Sequence, residues 1–418
     1  MKRIEEKYIS RAIEQTIQKN LPHREIIAIV GPRQSGKTTL LRHIAAQLDG
    51  VQFLDFEDRA TLELFTNDIH AFAELYVNNK KYLFIDEFQY AVEGGKNLKY
   101  IFDNYSIKIF ISGSSVIGLA QESLRYLVGR VFIFHLYPLS FEELLRYKDE
   151  SLSNLYKKSR VHSEQVNKML KKNYEEFVRY GGYPRVALAS SSEEKEIILN
   201  NIYNTYVLKE IKGILNIKNE YKLTRLIHAL ALQSGNILNY NELSVLVGIT
   251  YQELIENLQI LQRTYVLTEC RPYYRNKRTE LVKAPKVFFI DTGFRNSIIK
   301  NFQSLSERPD KGALYENAIA AELLKAGYEL RYWRTKSKAE VDFVIEQNAQ
   351  LTPIEVKTSI AGNRIPKSLQ SFIIKYKPQS AALIALETGI HKKSGNVDII
   401  TPWALSRFLM RHISKRKE

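Results

Sequence analysis

The spacing of apolar and polar residues divides this chain of 418 residues into four segments. Residues 1–141 alternate short β-branched or aromatic runs with segments of helical periodicity, which predicts a parallel α/β sheet. Residues 142–220 have a helical and highly charged pattern. Residues 221–284 contain helical stretches, two of them joined by a glycine-containing turn, followed by an extended hairpin. Residues 285–418 mix amphipathic helix with short alternating strands, which predicts a second α/β region.

A glycine-flanked loop follows the first apolar run. Gly31 and Gly36 have the spacing that lets a backbone wrap a phosphate chain, and N–H groups at the start of the next helix would donate to it. Lys37 is expected to reach the β- and γ-phosphates, and the Thr38 hydroxyl to ligate Mg²⁺. The pattern therefore predicts binding of ATP with Mg²⁺. The residues expected to contact the nucleotide are Gly31, Pro32, Arg33, Gln34, Ser35, Gly36, Lys37, Thr38 and Thr39.

Two later apolar runs end in residues suited to ATP hydrolysis. The first ends in Asp86, which would hold the magnesium shell, and Glu87, which would polarise the attacking water. The second runs into Ser112 and Ser114, which could sense the γ-phosphate or form an ordinary turn of small residues. With Lys37, Glu87 and Ser114 as catalytic candidates, the pattern indicates an ATPase and not only an ATP-binding protein.

Composition bears on location and partners. The single cysteine, Cys270, excludes an internal disulfide framework and fits a reducing compartment, so we expect a cytoplasmic protein. No apolar run approaches the length of a membrane span, and no signal-peptide core follows the first residues. The formal net charge of +15 is compatible with binding to nucleic acid or to an acidic membrane surface.

The third segment has the pattern of a winged helix-turn-helix. Residues 239–250 predict a capped helix and a glycine turn, and residues 251–261 predict the second helix. A hairpin follows, with a basic and aromatic tip of the kind that lies along phosphates. The residues near this tip are Tyr273, Tyr274, Arg275, Lys277 and Arg278. The second helix carries Glu253 and Glu256 and few cations, which leaves DNA contact and protein packing as alternatives.

The fourth segment contains acidic residues in consecutive predicted strands. Asp342 lies on one strand, Glu355 and Lys357 share a face of the next, and Glu316 lies on a preceding helix. Such a set can hold Mg²⁺ and activate water against a phosphodiester. This order of an acid and an acid-x-Lys pair resembles the core of the PD-(D/E)XK nuclease superfamily. Lys357 could instead neutralise both carboxylates in an ion pair, and cleavage activity is a separate question.

Several motifs along the chain point to one group of proteins. They are Gly31–Thr39, Phe84-Ile85-Asp86-Glu87, Ser112-Gly113-Ser114-Ser115, Leu127-Val128-Gly129-Arg130, Tyr137-Pro138-Leu139-Ser140-Phe141-Glu142-Glu143, Gly181-Gly182-Tyr183-Pro184, Asp291-Thr292-Gly293, Glu340-Val341-Asp342 and Ile354-Glu355-Val356-Lys357. With them, the chain resembles AAA-type P-loop ATPases of bacteria and archaea that carry a C-terminal domain of unknown function. One departure is Val128, where a small residue often precedes the Gly-Arg pair.

The resemblance implies a domain for each of the four segments. These are an ATPase core at 1–141, a helical lid or linker at 142–220, a winged helix-turn-helix at 221–284 and an α/β PD-(D/E)XK nuclease-like domain at 285–418.

ATP hydrolysis of this class commonly needs an arginine that neutralises charge in the transition state, supplied by the same chain or by a neighbour. Arg130 is the first candidate and Arg125 the second, and either could be an ordinary surface arginine. A neighbour's arginine requires an assembly of several copies, so we expect a homo-oligomer.

Two functions fit these patterns. In the first, ATP hydrolysis is coupled to DNA binding or processing through the winged-helix and nuclease-like domains. In the second, the chain is an ATP-driven signalling switch whose C-terminal domains bind a protein partner and have no nuclease activity. Stimulation of ATP turnover by DNA distinguishes the two.

Overall fold

A computed structural model places the chain in two compact units, the first comprising Met1–Leu139 with Arg263–Tyr265, and the second comprising Ser140–Gln262 with Val266–Glu418. The first of the four predicted segments thus lies in the first unit except for residues 140–141, and the other three lie in the second except for residues 263–265. The residues that the structure describes are 8–114, 124–158, 163–205, 220–360, 364–386 and 392–413.

The core of the first unit is a sheet of parallel strands. The strands are β1 (Ile26–Val30), β2 (Val51–Asp55), β3 (Tyr82–Asp86), β4 (Lys108–Gly113) and β5 (Val131–His135). They lie in the order β2-β3-β4-β1-β5, and every neighbouring pair is parallel. The helices of this unit are α1 (Ile13–Lys19), α2 (Lys37–Ala45), α3 (Arg59–Asn67), α4 (Ile69–Tyr76) and α5 (Gly95–Asn104). The predicted parallel α/β sheet is confirmed.

The burial and register of the strands in the first unit determine which loops lie close together. Strand β1 is buried at every position, as expected of an apolar strand covered on both faces. Its residues Ile29 and Val30 lie beside Ser112 and Gly113 of β4, and β3 pairs with the other side of β4. The loops after β1, β3 and β4 therefore leave the sheet at the same carboxyl edge, where α/β proteins bind their ligands.

The second unit combines many helices with two sheets. Its helices are α6 (Phe141–Lys148), α7 (Glu150–Lys158), α8 (Glu164–Tyr180), α9 (Pro184–Leu188), α10 (Ser192–Ile202), α11 (Glu220–Leu232), α12 (Tyr240–Val247), α13 (Tyr251–Arg263), α14 (Lys277–Val282), α15 (Thr292–Ile298), α16 (Lys311–Lys325), α17 (Lys367–Tyr376) and α18 (Leu405–His412). Across the described ranges, no helix is both long enough and apolar enough to cross a bilayer.

The strands of the second unit are β6 (Leu267–Pro272), β7 (Lys286–Phe289), β8 (Arg331–Arg334), β9 (Glu340–Val341), β10 (Phe343–Gln347), β11 (Gln350–Lys357), β12 (Ala381–Ala385), β13 (Lys392–Ser394) and β14 (Val397–Ile400). One sheet has the order β7-β6-β8-β9 and the other the order β10-β11-β12-β14-β13. In the second sheet β11, β12 and β14 are parallel, whereas β10 and β13 pair antiparallel at its edges.

The predicted helix pair of the third segment is present as α12 and α13, and β6 and β7 form an antiparallel hairpin. The hairpin tip differs from the prediction. Its connection contains α14, Tyr273 is buried with its ring against Tyr376, and Lys277 Nζ lies 2.8 Å from Glu346 Oε2. Strand β6 also pairs with β8. One end of the predicted tip, at Tyr273, is thus packed into the second unit against Tyr376 of α17, whereas Arg275, Lys277 and Arg278 are exposed.

Contacts between distant parts of the chain hold the helices of the second unit. Tyr156 of α7 is buried, its hydroxyl donates to the Trp403 carbonyl at 2.5 Å, and the Arg407 guanidinium lies 4.1 Å from its ring centre. Asp291, buried at the start of α15, accepts the Gly182 N–H at 2.7 Å. The loop after α8 and the segment before α18 are thus integral to this unit.

Candidate nucleotide site and acidic cluster

The phosphate loop lies between β1 and α2, and its geometry requires both glycines. A Cβ atom at Gly31 would stand 2.1 Å from the Leu136 carbonyl oxygen, which no side chain can do. Gly36 has φ +96°, a left-handed conformation that glycine adopts at little cost, and it begins α2. The loop therefore presents its backbone N–H groups at a helix N-terminus, as the sequence predicts.

Lys37 and Ser35 carry the polar groups inside this loop. Lys37 is buried, and its Nζ donates to the carbonyl oxygens of Gly31 at 3.1 Å and Pro32 at 3.0 Å. Ser35 is fully buried, and its hydroxyl oxygen has no hydrogen-bond partner among the described residues. A buried hydroxyl without a partner is costly unless a ligand satisfies it, so the loop fits a phosphate group.

The other predicted loop residues are more accessible. Arg33 and Thr38 are half-buried, and Gln34 and Thr39 are exposed. Thr38 lies in the first turn of α2, next to Lys37, where its hydroxyl is accessible to a metal ion bound with the phosphates.

Ser112 connects the two acidic residues at the end of β3. Its hydroxyl donates to Asp86 Oδ1 and accepts the Glu87 N–H at 3.2 Å. Asp86 and Ser112 are buried, because β4 lies between β1 and β3. Of the two predicted serines, Ser112 thus binds both Asp86 and Glu87 through its side-chain hydroxyl. Ser114 instead donates its backbone N–H to Gln89 Oε1 at 3.3 Å.

Glu87 occupies an unusual backbone position. Its φ is +52°, left-handed, which costs about 1–2 kcal/mol for a residue with a side chain and is typical of functional sites. It begins a short 3₁₀ turn whose Phe88 is buried against Phe56 and Phe65. The amide of Gln89 donates to the Glu87 carboxylate. Sequence reasoning missed Gln89, because no motif marks it.

Arg11 is a second residue that sequence reasoning missed. It is buried, and its guanidinium donates to the Ser35 carbonyl at 2.9 Å and to the Tyr137 carbonyl at 2.5 Å. Arg11 thus supports the phosphate loop from outside. It lies before the first strand, where no pattern indicated a contact with residues so far along the chain.

Arg130 lies away from the nucleotide site of its own chain. Strands β1 and β5 are parallel with Ile26 beside Val131, so Arg130 stands where β1 begins, whereas the phosphate loop follows its end. A strand of this length spans about 17 Å. The Arg130 side chain pairs with Asp103, Nε to Oδ1 3.1 Å. The geometry contradicts a role within one chain, because closeness in sequence to β4 does not place a residue at the same sheet edge.

Arg125, the second candidate arginine, is exposed, and its guanidinium donates to the Tyr126 hydroxyl at 2.7 Å.

Four carboxylates meet in the second unit. We call Glu316, Glu340, Asp342 and Glu355 the acidic cluster. Asp342 accepts the Val356 N–H of the neighbouring strand at 2.8 Å. Lys357 Nζ lies 2.7 Å from Glu355 Oε1, and the Ser368 hydroxyl donates to the same oxygen at 3.2 Å. The structure thus brings together the predicted residues Glu316, Asp342, Glu355 and Lys357.

Lys286 of β7 adds a cation that the sequence did not reveal. It is buried, and its Nζ lies 2.9 Å from Glu316 Oε1 and 2.7 Å from Glu340 Oε1. Although burial acts to lower the pKa of Lys286, the carboxylates of Glu316, Asp342 and Glu340 hold that pKa well above its usual value. Lys286 is therefore charged at neutral pH.

The cluster fits ion pairs better than the predicted Mg²⁺ site. Burial, and secondly the charge of Asp342, raise the pKa of Glu316 and of Glu355 to about 7. Glu355 Oε2 is buried without a hydrogen-bond partner in the described part of the chain, but Oε1 is bound to Lys357. Within the same residues, no group of three His, Cys, Asp or Glu side chains is arranged to hold a metal ion.

Comparison with protein families supports the description of the first unit. Residues 23–145 match the model of a family described as an AAA domain. Residues 171–305 and 311–405 match models of two domains of unknown function, DUF8612 and DUF4143. Together with the parallel sheet and the phosphate loop, the first match shows an AAA-type P-loop ATPase domain that binds ATP.

The chain is similar over most of its length to uncharacterised proteins. One, of Haemophilus influenzae, is 27% identical over 360 residues, which cover 81% of this chain and 84% of the relative. Another, of Methanocaldococcus jannaschii, is 25% identical over 415 residues, or 91% of this chain and 84% of the relative. A Walker-type ATPase of Pyrococcus abyssi matches with a TM-score of 0.47 and 14% identity, over 71% of this chain and 97% of that one.

Removing the buried cation of the acidic cluster should destabilise the second unit. Lys286→Met should cost about 3–5 kcal/mol near neutral pH, because it leaves carboxylates buried without their partner. The loss should be smaller near about pH 5. The pKa of Glu316 and of Glu355 lies above the value of an unfolded chain, so their contribution favours folding at low pH and is lost as the pH rises through about 7. Urea unfolding at both pH values measures the effect.

Lys283→Met is the matched control, because Lys283 is exposed on the preceding segment. It should change the unfolding free energy by less than about 0.5 kcal/mol. A rise in melting temperature with Mg²⁺ in a Lys37→Ala protein, whose ATP site is impaired, would contradict the description of the cluster as ion pairs.

Proposed function

We propose that the first unit hydrolyses ATP to ADP and phosphate in a Mg²⁺-dependent reaction. The observation that carries this proposal is the meeting of Lys37, Asp86, Glu87 and Ser112 at one edge of the parallel sheet. Lys37 would bind the phosphates, and Thr38 and Asp86 would hold the metal ion, which supplies charge neutralisation when bound. Glu87 would polarise the attacking water.

DNA binding or processing is one candidate use of this hydrolysis. The net charge of +15 supports it, since DNA-binding surfaces are basic. So do the α12–α13 pair, which resembles a winged helix-turn-helix, and the order of Asp342, Glu355 and Lys357, which resembles that of PD-(D/E)XK nucleases. Cleavage would need a metal ion among the carboxylates.

Specific observations favour the other candidate, a signalling switch with a protein partner. The exposed side of α13 carries Glu253 and Glu256, which would repel phosphates. Tyr273 of the hairpin tip is buried and Lys277 is paired with Glu346, although Arg275 and Arg278 are exposed. Lys286 and Lys357 already neutralise carboxylates of the acidic cluster. We therefore propose an ATP-driven switch whose second unit binds a protein and does not cleave nucleic acid.

The proposal includes a cytoplasmic location, which the single cysteine supports. It also includes a homo-oligomer. Arg130 cannot reach the nucleotide of its own chain, so if Arg130 assists hydrolysis it would do so from a neighbouring copy, whereas Arg125 remains the second candidate arginine.

Two substitutions test the nucleotide site. Lys37→Ala should abolish tight binding of a fluorescent ATP analogue, because the phosphates lose their charged partner. Glu87→Gln should bind ATP but release phosphate about 10²–10⁴-fold more slowly, because the carboxylate that polarises water is gone. Lys19→Ala, an exposed lysine on α1, is the control and should leave both activities unchanged. Undiminished turnover in Glu87→Gln would refute the assignment of the base.

DNA-stimulated turnover separates the two candidate uses. A protein-partner switch should hydrolyse ATP at the same rate with and without duplex or single-stranded DNA at low salt. Stimulation that weakens steeply with added salt would support the DNA candidate, because phosphate contacts release counterions.

Mixed assemblies test the arginine. If Arg130 acts on a neighbour's nucleotide, Arg130→Ala and Lys37→Ala proteins should each be inactive alone and should regain part of the activity when mixed. Asp103→Asn, which removes the carboxylate that Arg130 shares with Lys99 but keeps the arginine, is the control and should retain turnover. Failure of the mixture to regain activity would argue against a contribution from the neighbour.

A further inference from the structure

Gln89 makes contacts that only a carboxamide can make together. Its amide nitrogen donates to Glu87 Oε2, and its carbonyl oxygen accepts the Ser114 N–H at 3.3 Å. A carboxamide carries donors and an acceptor on one rigid plane, whereas a carboxylate lacks the donor and an apolar side chain lacks both. Gln89 thus bridges the residue after β3 and the residue after β4.

The backbone around Gln89 leaves the Glu87 side chain little freedom. Phe88 is buried and fixes the 3₁₀ turn, and Glu87 is held in a left-handed conformation. The Glu87 N–H is bound to the Ser112 hydroxyl, while its carboxylate is bound to Gln89. The main chain and the side chain of Glu87 are therefore both fixed, each by a different polar group.

We propose that Gln89 is a positioning residue for ATP hydrolysis, which sets the direction of the Glu87 carboxylate and ties it to the end of β4 through Ser114. The inference rests on the proposed function, in which Glu87 polarises water. The hydrogen bonds of Gln89 go to Glu87 and Ser114, at the ends of β3 and β4, so it acts on the chemical step and not on nucleotide binding. A displacement of a catalytic group by about 1 Å can cost about 10²-fold in rate.

Two variants of Gln89 remove different contacts. Gln89→Met keeps the length of the side chain and loses both contacts. Gln89→Glu keeps an acceptor for Ser114 but loses the donor to Glu87 and places a like charge beside it. Both should lower kcat by about 10–10²-fold with KM and the affinity for a fluorescent ATP analogue within about twofold of wild type. Gln18→Met, at an exposed position of α1, is the control for the substitution and should behave as wild type.

A double-mutant cycle with Glu87→Gln shows whether Gln89 acts through Glu87. Adding Gln89→Met to Glu87→Gln should cause no further loss of kcat, because the carboxylate that Gln89 positions is already absent. Losses that multiply would overturn the inference, since they would show a role independent of Glu87. A wild-type kcat in Gln89→Met would overturn it as well.

The cycle also separates this inference from the proposed function. If Glu87→Gln alone retains full turnover, the proposed role of Glu87 fails. If Glu87→Gln is slow and Gln89→Met is not, the role of Glu87 stands and only the role of Gln89 is rejected. If the Glu87 and Gln89 variants melt at the same temperature as wild type, unfolding is excluded as the cause of a lowered kcat.

Discussion

The parallel pairing of β1, β3 and β4 is the constraint on which the nucleotide site depends. Neighbouring parallel strands end at the same edge of a sheet, so the phosphate loop, the acidic pair and the serines converge without long loops to bring them together. The position of β4 between β1 and β3 is essential for this convergence. A sheet with β1 directly beside β3 would move Ser112 away from the phosphate loop or from Asp86, and Asp86 would lose the hydroxyl that fixes one of its oxygens.

The sequence predicted features formed by consecutive residues and missed contacts that depend on the tertiary structure. The phosphate loop and a parallel α/β sheet were predictable, because a glycine loop between an apolar run and a helix is a contiguous signal. Arg11 was missed because its partner Ser35 lies 24 positions away, and Lys286 was missed because Glu316 lies 30 positions away. Gln89 is near Glu87 in sequence, but the sequence does not reveal the left-handed backbone at Glu87 that accompanies their contact. The sheet edge that Arg130 occupies was not predictable, because distance along a chain does not tell which edge of a sheet a residue occupies.

The acidic cluster shows that the order of residues in a motif does not define the chemistry of a site. Asp342, Glu355 and Lys357 have the order of a metal-dependent nuclease, but the charge around them is set by residues from other elements. Lys286 comes from the hairpin strand β7 and contacts two of the carboxylates. Lys286 and Lys357 lie within hydrogen-bond distance of carboxylates in this cluster, so part of the negative charge that a divalent ion would neutralise is already compensated.

The second unit contains contacts between residues far apart in the sequence, and these contacts have a consequence for its biosynthesis. The Tyr156 hydroxyl is bonded to a carbonyl 247 positions later, and the Gly182 N–H to a carboxylate 109 positions later. A nascent chain leaves the ribosome from its N-terminus, and domains fold as units once their residues are available. The strands of the first sheet emerge early, but α7 must wait until Trp403 and Arg407 have been synthesised before its tyrosine is covered. Until then its apolar face is open to chaperones and to other nascent chains, so this segment has the longest exposed period between translation and burial of those described above.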